Sequence, residues 1–203
     1  LDGNPDVTSK GPLFKKAWAE RYKGIVEYRG KHNVTDVDAA TNSLKFEFND
    51  DIKASVLNVI PNMRAGDIAV NAGLATANKR WCEVDFLTFE SKAAKNVHVL
   101  GDAIQIAPGM PKSGHMANQH GKTCAAAVVA LLMGKQVNPM PIYNNTCYSL
   151  EDVVHVASVH KYDAEKKTML TVPGSGGVSS AANELEGRYA HAWARNIWAD
   201  TLA

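Results

Sequence analysis

Two adjacent residues at the end of an apolar segment, a glycine and a carboxylate, are the first candidates for ligand chemistry in this chain. Residues 96–103 read NVHVLGDA, so a β-branched run ends at Gly101 and Asp102. The glycine leaves room for a ligand against the backbone, and the carboxylate can accept hydrogen bonds from sugar-like hydroxyl groups. A strand that ends in this way and leads into a long helix of small residues predicts a nucleotide-binding site, although Gly-Asp after a strand is also a common turn.

A second candidate contact for the same ligand lies immediately before that helix. Met110, Pro111, Lys112 and Ser113 precede a helix predicted from residue 113 to residue 133. Backbone N–H groups at the N-terminus of a helix carry partial positive charge, and Lys112 can add a full charge. A solvated surface lysine is an equally good interpretation of Lys112.

The three cysteines, Cys82, Cys124 and Cys147, form no pattern of their own. Their number is odd and no CxxC spacing occurs, which argues against a zinc site and against a closed set of disulfides. An odd count fits a cysteine whose partner lies outside this sequence. Cys147 is next to Tyr148, and by default a cysteine beside an aromatic residue is a small core residue.

The seven histidines predict neither a metal site nor a haem site. His115 and His120 are five residues apart in a predicted helix, and His155 and His160 are offset by an odd number in a predicted strand, so neither pair shares a face. No CxxCH motif is present, so any haem belongs to a partner chain.

Composition and charge are those of an ordinary globular protein. The 203 residues are 45% hydrophobic and 21% charged, which is enough to bury a sizeable core. A net charge of +1 gives no reason to expect nucleic acid or an anionic membrane as partner. The longest strongly apolar run, residues 125–133, is too short to span a bilayer.

The hydrophobic pattern predicts an α/β fold with an α+β carboxyl-terminal section. Helical spacing of apolar residues predicts helices over residues 11–23, 64–73, 113–133 and 181–202. Apolar runs bounded by turn residues predict strands over residues 25–28, 33–37, 44–48, 54–60, 82–87, 97–100, 146–150, 153–162 and 168–172. The glycine- and serine-rich residues 174–180 predict a mobile loop.

Four stretches of the chain carry a resemblance to a known family. They read TFESKAAKNVHVLGDA, PGMPKSGHMANQHGKTCAAAVVALL, YNNTCYSL and YAHAWARNIWADTLA. In this order they resemble the flavin-binding subunit of flavocytochrome c sulfide dehydrogenase, a branch of the two-dinucleotide-domain flavoproteins. The resemblance runs from about Asp2 to Ala203.

The resemblance implies that the sequence is the carboxyl-terminal half of a protein about twice this length. The fold would be a partial two-dinucleotide-binding-domain fold lacking the amino-terminal Rossmann unit, because no GxGxxG occurs near residue 1. Residues 1–74 would be the remnant of the second, NAD-like dinucleotide domain. Residues 75–138 would be the return segment of the FAD domain, and residues 139–203 an interface and active-site domain.

The resemblance also implies the cofactor and the residues around it. FAD is the cofactor, with Asp102 matching the carboxylate that binds the ribityl chain. The segment before the long helix would face the pyrimidine edge of the isoalloxazine, where positive charge favours the anionic reduced flavin. The implied cofactor-binding residues are Gly101, Asp102, Met110, Pro111, Lys112 and Ser113.

Two further residues are implied as catalytic. Cys147 would be one member of a redox disulfide beside the flavin, whereas Cys82 and Cys124 would be structural. Trp193 would reach over the active site and exclude water from the sulfide pocket. Core packing is an equally complete explanation of Trp193, because it belongs to a stripe of apolar residues spaced by four: Leu185, Tyr189, Trp193 and Ile197.

The implied function is FAD-dependent oxidation of sulfide to sulfur or polysulfide, with electrons passing to a c-type cytochrome subunit in the bacterial periplasm. The isolated portion is expected to be inactive. One alternative is a sulfide:quinone oxidoreductase-like enzyme, but the mixed charges of the tail argue against a membrane surface. The other alternative is a non-catalytic dimerisation or partner-docking module, which would form a homodimer without flavin.

Overall fold

A helix and a small antiparallel sheet make up the first of two units in the chain. The computed structural model describes residues 1–8, 10–149 and 154–202, and its two compact units are Leu1–Asn62 and Met63–Ala203. Helix α1 (Gly11–Arg21) precedes a three-stranded sheet in the order β1-β2-β3. The strands are β1 (Val34–Asp38), β2 (Ser43–Phe46) and β3 (Ile52–Lys53).

The predicted meander is therefore present but shorter than the sequence suggests. Residues 25–28 form no strand, and the predicted strand at 54–60 is reduced to the two-residue β3 just before it. Their apolar side chains do not reach a core in this unit, since Ile25, Val56 and Ile60 are exposed. By contrast, Leu44 and Phe46 alternate inward on β2 and are buried, as a half-buried strand requires.

A long central helix, a four-stranded sheet and a closing helix form the second unit. In chain order the elements are α2 (Asp67–Asn71), a 3₁₀ turn (Gly101–Ala103), α3 (Gly114–Leu132), β4 (Ile142–Ser149), β5 (Val154–Asp163), β6 (Thr168–Thr171), β7 (Gly177–Val178) and α4 (Glu184–Leu202). The sheet is antiparallel in the order β4-β5-β6, with β7 also paired to β5. The predicted strand ends Leu150 and Val153 lie outside the described residues.

The predicted helix over residues 113–133 is confirmed, and its sequence explains both ends. The side chain of Ser113 accepts a hydrogen bond from the Met116 N–H, which caps the first turn. Gly134 follows the helix with φ +64°, the left-handed conformation that ends many helices. The buried residues of α3 lie on one face at helical spacing: Met116, His120, Cys124 and Ala127.

The strands predicted at 82–87 and 97–100 are present only as single-residue bridges. Cys82 pairs with Ile104 in parallel, while Val84 pairs with Ser91 and Glu90 with His98 in antiparallel fashion. Parallel pairing among the described residues is thus limited to one bridge. The second unit is a mixed fold with an antiparallel sheet, and Asp102 lies in a 3₁₀ turn instead of at the end of a regular strand.

Helix α4 is attached to the rest of the second unit at both ends. Near its start, Glu186 Oε2 lies 2.7 Å from His155 Nδ1 on β5, and the Ser179 hydroxyl donates to Glu186 Oε1 at 3.0 Å. Near its end, Asp200 accepts hydrogen bonds from Asn118 Nδ2 and Lys122 Nζ on α3, at 2.9 and 2.8 Å. These contacts place the middle of α4 over the end of β4. The loop at 174–180 contains β7 and is bound to β5 through backbone pairs.

The predicted division into three functional parts stays a prediction. Along the chain, the division between the two compact units falls between residues 62 and 63, whereas the sequence suggests a boundary at residue 74. Ala65, Ala69 and Leu74 pack around the buried Cys82, so residues on both sides of that predicted boundary share one cluster. Among the described residues, no helix combines the length and apolarity needed to cross a membrane.

Candidate functional site

The Gly101–Ala103 turn lies directly against the first half of α3. Gly101 has φ +70°, and a Cβ added to it would lie 3.3 Å from the Cβ of Ala117. Its N–H donates to His120 Nδ1 at 3.3 Å. Glycine is required here because the backbone is left-handed and the helix is close. The small residue therefore makes room for α3, whereas the sequence analysis expects it to make room for a ligand.

Lys112 holds the same turn from the other side. Its ammonium donates to the carbonyl oxygens of Asp102 and Ile104 at 2.6 and 2.7 Å and lies 3.7 Å from the centre of the Trp81 ring, a cation–π contact. Burial lowers the pKa of Lys112, while the nearby Asp102 carboxylate acts in the opposite direction. The structure therefore contradicts the interpretation of Lys112 as a freely solvated lysine.

The Asp102 side chain is left available to a ligand. It is exposed, and its carboxylate accepts no hydrogen bond from any residue that the structure describes. At the start of α3, the N–H groups of Gly114 and His115 have no acceptor in the described chain. A carboxylate and a helix N-terminus thus offer complementary unpaired groups, one accepting and one donating.

Met110 and Pro111 offer no free backbone N–H to a ligand, and their assignment as cofactor-binding residues stays a prediction. The Met110 N–H donates to the Ala107 carbonyl oxygen at 3.0 Å, and the Met110 side chain is 2% exposed within the main core. Pro111 has no N–H to donate. The positive end of α3 therefore comes from the residues after Ser113 and not from Met110 or Pro111.

The sulfur of Cys147 is close to the cap of α3. Ser113 Oγ donates to Asn145 Oδ1 at 2.5 Å, and Asn145 Nδ2 lies 3.6 Å from Cys147 Sγ. Asn145 and Cys147 are two residues apart on β4 and so face the same side of the sheet. Cys147 is a free, half-buried thiol, whereas Cys82 and Cys124 are free and buried.

Trp193 meets the same end of β4 from α4. Its ring lies 5.6 Å from the His115 ring in an edge-on arrangement and 5.8 Å from the Tyr148 ring, between ring centres. The indole Nε1 is buried and has no hydrogen-bond partner among the described residues. Packing accounts for the position of the ring, but an unpaired buried N–H is costly and fits a donor that awaits a ligand.

His115 connects Cys147's strand to Trp193. Its Nδ1 accepts the Thr146 N–H at 3.1 Å, so the proton of the neutral ring is on Nε2. Burial lowers the pKa of His115, with a further contribution from the positive charge of Lys122. The neutral form that accepts this hydrogen bond is thereby favoured.

The structure brings six of the eight predicted site residues into one region and adds three residues that the sequence analysis missed. Gly101, Asp102, Lys112 and Ser113 surround the N-terminal end of α3, and Cys147 and Trp193 lie close to Ser113 and His115. The missed residues are Asn145, His115 and His120. Asn145 contacts Ser113 across 32 positions and His115 contacts Thr146 across 31, and no local pattern signals a contact at such separations.

The residues present suit a flavin nucleotide better than a metal. The unpaired Asp102 carboxylate can accept from sugar hydroxyl groups, and the unpaired N–H groups of Gly114, His115 and Trp193 can donate to carbonyl or phosphate oxygens. Within the described chain, no cluster of histidine, cysteine and carboxylate side chains could hold a metal ion.

Comparison with solved structures shows a related fold. The chain is similar to the sulfide:quinone oxidoreductase from the hyperthermophilic bacterium Aquifex aeolicus, with a TM-score of 0.58 and 16% sequence identity. The match covers 98% of this chain and 49% of that protein, so the chain spans about half of its length. At this identity the likeness is evidence of fold alone, and it agrees with a flavoprotein fold.

Two family models match the sequence at its two ends. Residues 139–202 match flavocytochrome c sulphide dehydrogenase, flavin-binding, and residues 1–61 match sulfide dehydrogenase [flavocytochrome c] flavoprotein chain, central. The two matches together cover more than half of the chain, and the first includes Cys147 and Trp193. They confirm the resemblance seen in the sequence and FAD as the cofactor. The chain therefore belongs to the flavoprotein subunits of the flavocytochrome c sulfide dehydrogenase family.

Proposed function

We propose that this chain is the carboxyl-terminal part of a FAD-dependent enzyme that oxidises sulfide to sulfur or polysulfide. The observation that carries the proposal is the position of the Cys147 sulfur, one amide away from the cap of α3. The same end of α3 carries the unpaired N–H groups and lies beside the Asp102 turn. A flavin held by these groups would lie next to a cysteine.

Cys147 would act as one half of a redox disulfide. Hydrosulfide attacks one sulfur of the disulfide, so that a new S–S bond forms as a persulfide and the original S–S bond breaks, leaving the other sulfur as a thiolate. When the outer sulfur of the persulfide leaves at the oxidation level of elemental sulfur and the disulfide forms again, two electrons and the proton of the hydrosulfide are released. Bound FAD would supply the acceptor for those two electrons. The partner cysteine would lie outside this sequence, because Cys82 and Cys124 are 0% and 7% exposed.

The chain's own residues would bind, orient and exclude water. The Asp102 carboxylate would hold hydroxyl groups of the ribityl chain, and the N–H groups of Gly114 and His115 would face electron-rich oxygens of the ring. Trp193 would cover the sulfur and keep the site dry. The Trp193 N–H, which has no acceptor within the described chain, would gain one from the flavin or from the substrate.

The family description supports a c-type cytochrome as partner and electron acceptor. The sequence has no CxxCH motif, so the haem would belong to that partner chain. Such a pair would function in the periplasm, and this location is a proposal that follows from the family alone. Quinone is the second candidate for the acceptor, since the fold resembles that of a sulfide:quinone oxidoreductase.

Turnover of sulfide by the complete protein, of which this chain is part, tests the proposal. We expect reduction of a c-type cytochrome with sulfide as donor and little reduction of a soluble quinone. Cys147→Ser should abolish this activity while FAD stays bound, and Cys124→Ser should retain it. Normal turnover by the Cys147→Ser variant would refute the redox role, and faster reduction of quinone than of cytochrome would favour the second acceptor.

A further inference from the structure

A directional chain of hydrogen bonds runs from α3 to the sulfur of Cys147. The Met116 N–H donates to Ser113 Oγ at 3.1 Å, and the Ser113 hydroxyl donates to Asn145 Oδ1 at 2.5 Å. Asn145 Nδ2 then lies 3.6 Å from Cys147 Sγ. Asn145 is 4% exposed, so its amide is held in place by protein groups and not by solvent.

The hydrogen bonds of this chain orient the Asn145 amide. Ser113 Oγ receives the Met116 N–H as an acceptor and donates its single proton to Asn145 Oδ1. Only the amide oxygen can accept that proton. With the oxygen of the amide bound to Ser113, the NH₂ group of Asn145 lies 3.6 Å from the Cys147 sulfur.

This orientation suits an anionic sulfur better than a neutral thiol. A thiol can donate to Asn145 Oδ1 over a longer contact of 3.8 Å, and it then shares that oxygen with the Ser113 hydroxyl. A thiolate has no proton and can only accept, which it does from Asn145 Nδ2. Each bond of the chain also polarises the next, and the chain begins at the positive end of a helix of 19 residues.

We propose that Asn145 is a further catalytic residue, the hydrogen-bond donor that stabilises the Cys147 sulfur as a thiolate, and that Ser113 is the positioning residue that orients it. The inference rests on the proposed function, in which Cys147 takes part in disulfide exchange. When the S–S bond breaks, its electron pair goes to the departing sulfur. If that sulfur belongs to Cys147, the N–H of Asn145 faces the charge as it forms.

The alkylation rate of Cys147 in the reduced, complete protein tests this proposal without any sulfide turnover. Iodoacetamide modifies the thiolate, and peptide mass spectrometry reports the rate at Cys147 alone. Asn145→Asp replaces the donor by an anion of the same shape, and we expect the rate at neutral pH to fall about tenfold. Asn144→Asp is the matched control, because it adds the same charge at the exposed neighbour on the opposite face of β4, and its rate should stay within about twofold of the parent.

Ser113 variants provide a second measurement that leaves Asn145 in place. Ser113→Ala should slow alkylation several-fold, because the amide is then free to turn, and Ser113→Thr should restore the parent rate. The circular dichroism of each variant establishes that it is folded, and if Asn145→Asp does not fold the Ser113 pair decides. An unchanged rate in Asn145→Asp, equal slowing in Asn144→Asp, or no difference between Ser113→Ala and Ser113→Thr would overturn the proposal.

The proposed function can fail separately from this inference. Sulfide turnover by Cys147→Ser would refute the redox role of Cys147 even if Asn145→Asp slows alkylation as expected. Conversely, an inactive Cys147→Ser variant together with unchanged alkylation in Asn145→Asp would retain the redox cysteine and remove Asn145 from the mechanism.

Discussion

His120 should make the second unit sensitive to acid. Its ring is 1% exposed and lies 4.7 Å from the Phe89 ring and 5.3 Å from the Tyr143 ring, between centres. Nδ1 accepts the Gly101 N–H at 3.3 Å, and Nε2 has no partner in the described chain. A proton on Nδ1 would face the N–H of Gly101 in an apolar setting, which opposes protonation.

Burial, together with the charge of Lys112, lowers the pKa of His120 from 6.5 to about 4 in the folded protein. The unfolded chain therefore takes up this proton first as the pH falls. The stability that the neutral ring contributes is fully present above pH 6.5 and is lost as the pH falls toward about 4. Over that interval the loss amounts to roughly 3 kcal/mol.

The assay compares the urea unfolding free energy at neutral pH and near pH 4 for the parent protein and for His120→Gln. Glutamine can still accept the Gly101 N–H but does not titrate, so the parent should lose about 3 kcal/mol more than the variant. Carboxylates titrate in both proteins and cancel in the difference. The exposed His191 on α4 gives the matched control, since His191→Gln should behave like the parent.

A direct titration of the His120 ring by NMR completes the test. The resonance is assigned by its loss in His120→Gln. If the ring titrates near the value of an exposed histidine, or if the two proteins lose equal stability on acidification, then the buried ring does not control acid stability and the reasoning fails.

Three further predictions concern the flavin turn and the cysteines. Gly101→Ala should lower the free energy of unfolding by roughly 1–2 kcal/mol, because a Cβ is strained at positive φ and meets α3, and thermal unfolding with flavin absorbance per protein should both report it. Asp102→Ala should reduce flavin content with the fold intact, since each lost charged hydrogen bond contributes roughly 1.5–3 kcal/mol; undiminished flavin after dialysis would contradict this. In the native chain a thiol reagent should label Cys147 before Cys82 and Cys124, for both of which burial raises the thiol pKa, and mass-spectrometric mapping of earlier labelling at either one would contradict the assignment.

Short sequence patterns predict those helices and strands whose ends and buried faces are set by neighbouring residues in the chain. Helix α3 can be predicted because its apolar residues recur at helical spacing. A serine at its start and a glycine after its end mark where it begins and ends. The antiparallel strands β4, β5 and β6 were predictable in the same way, from apolar runs bounded by turn residues. Pairing partners and register depend on the rest of the chain, so β7 was not predicted.

Two segments with the composition of strands do not form regular strands, so composition alone is not sufficient to predict one. Residues 82–87 and 97–100 have the β-branched composition of strands, yet each pairs at single residues before the chain turns. The turn at residues 85–89 explains this in part: the Asp85 carbonyl oxygen accepts the Phe89 N–H at 2.6 Å, and the Asp85 carboxylate accepts the Leu87 N–H at 2.7 Å. An Asx turn of this kind uses backbone N–H groups that would otherwise pair with a neighbouring strand. Amino-acid composition alone does not decide between the turn and the strand.

The residues of the candidate site also fall into two groups, those that a sequence pattern predicts and those that it does not. Gly101, Asp102, Ser113, Cys147 and Trp193 were found because they lie in recognisable strings of the family. The residues that connect them were not, since an amide on a strand and a histidine in the first turn of a helix are common in any sequence. Only the packing of α3 against β4 gives them a role.

The position of His115 has a consequence for strand pairing at the edge of the sheet. In the described sheet β4 pairs only with β5, so its other side is an open edge whose N–H groups could template a strand from another molecule. His115 blocks that edge at one position by accepting the Thr146 N–H. A further strand would present its own row of unpaired N–H and C=O groups. An imidazole ring has no such row, so the sheet does not continue at this position. Natural sheets avoid edge-to-edge aggregation by placing such obstacles, and here the obstacle is also the side chain that packs against Trp193.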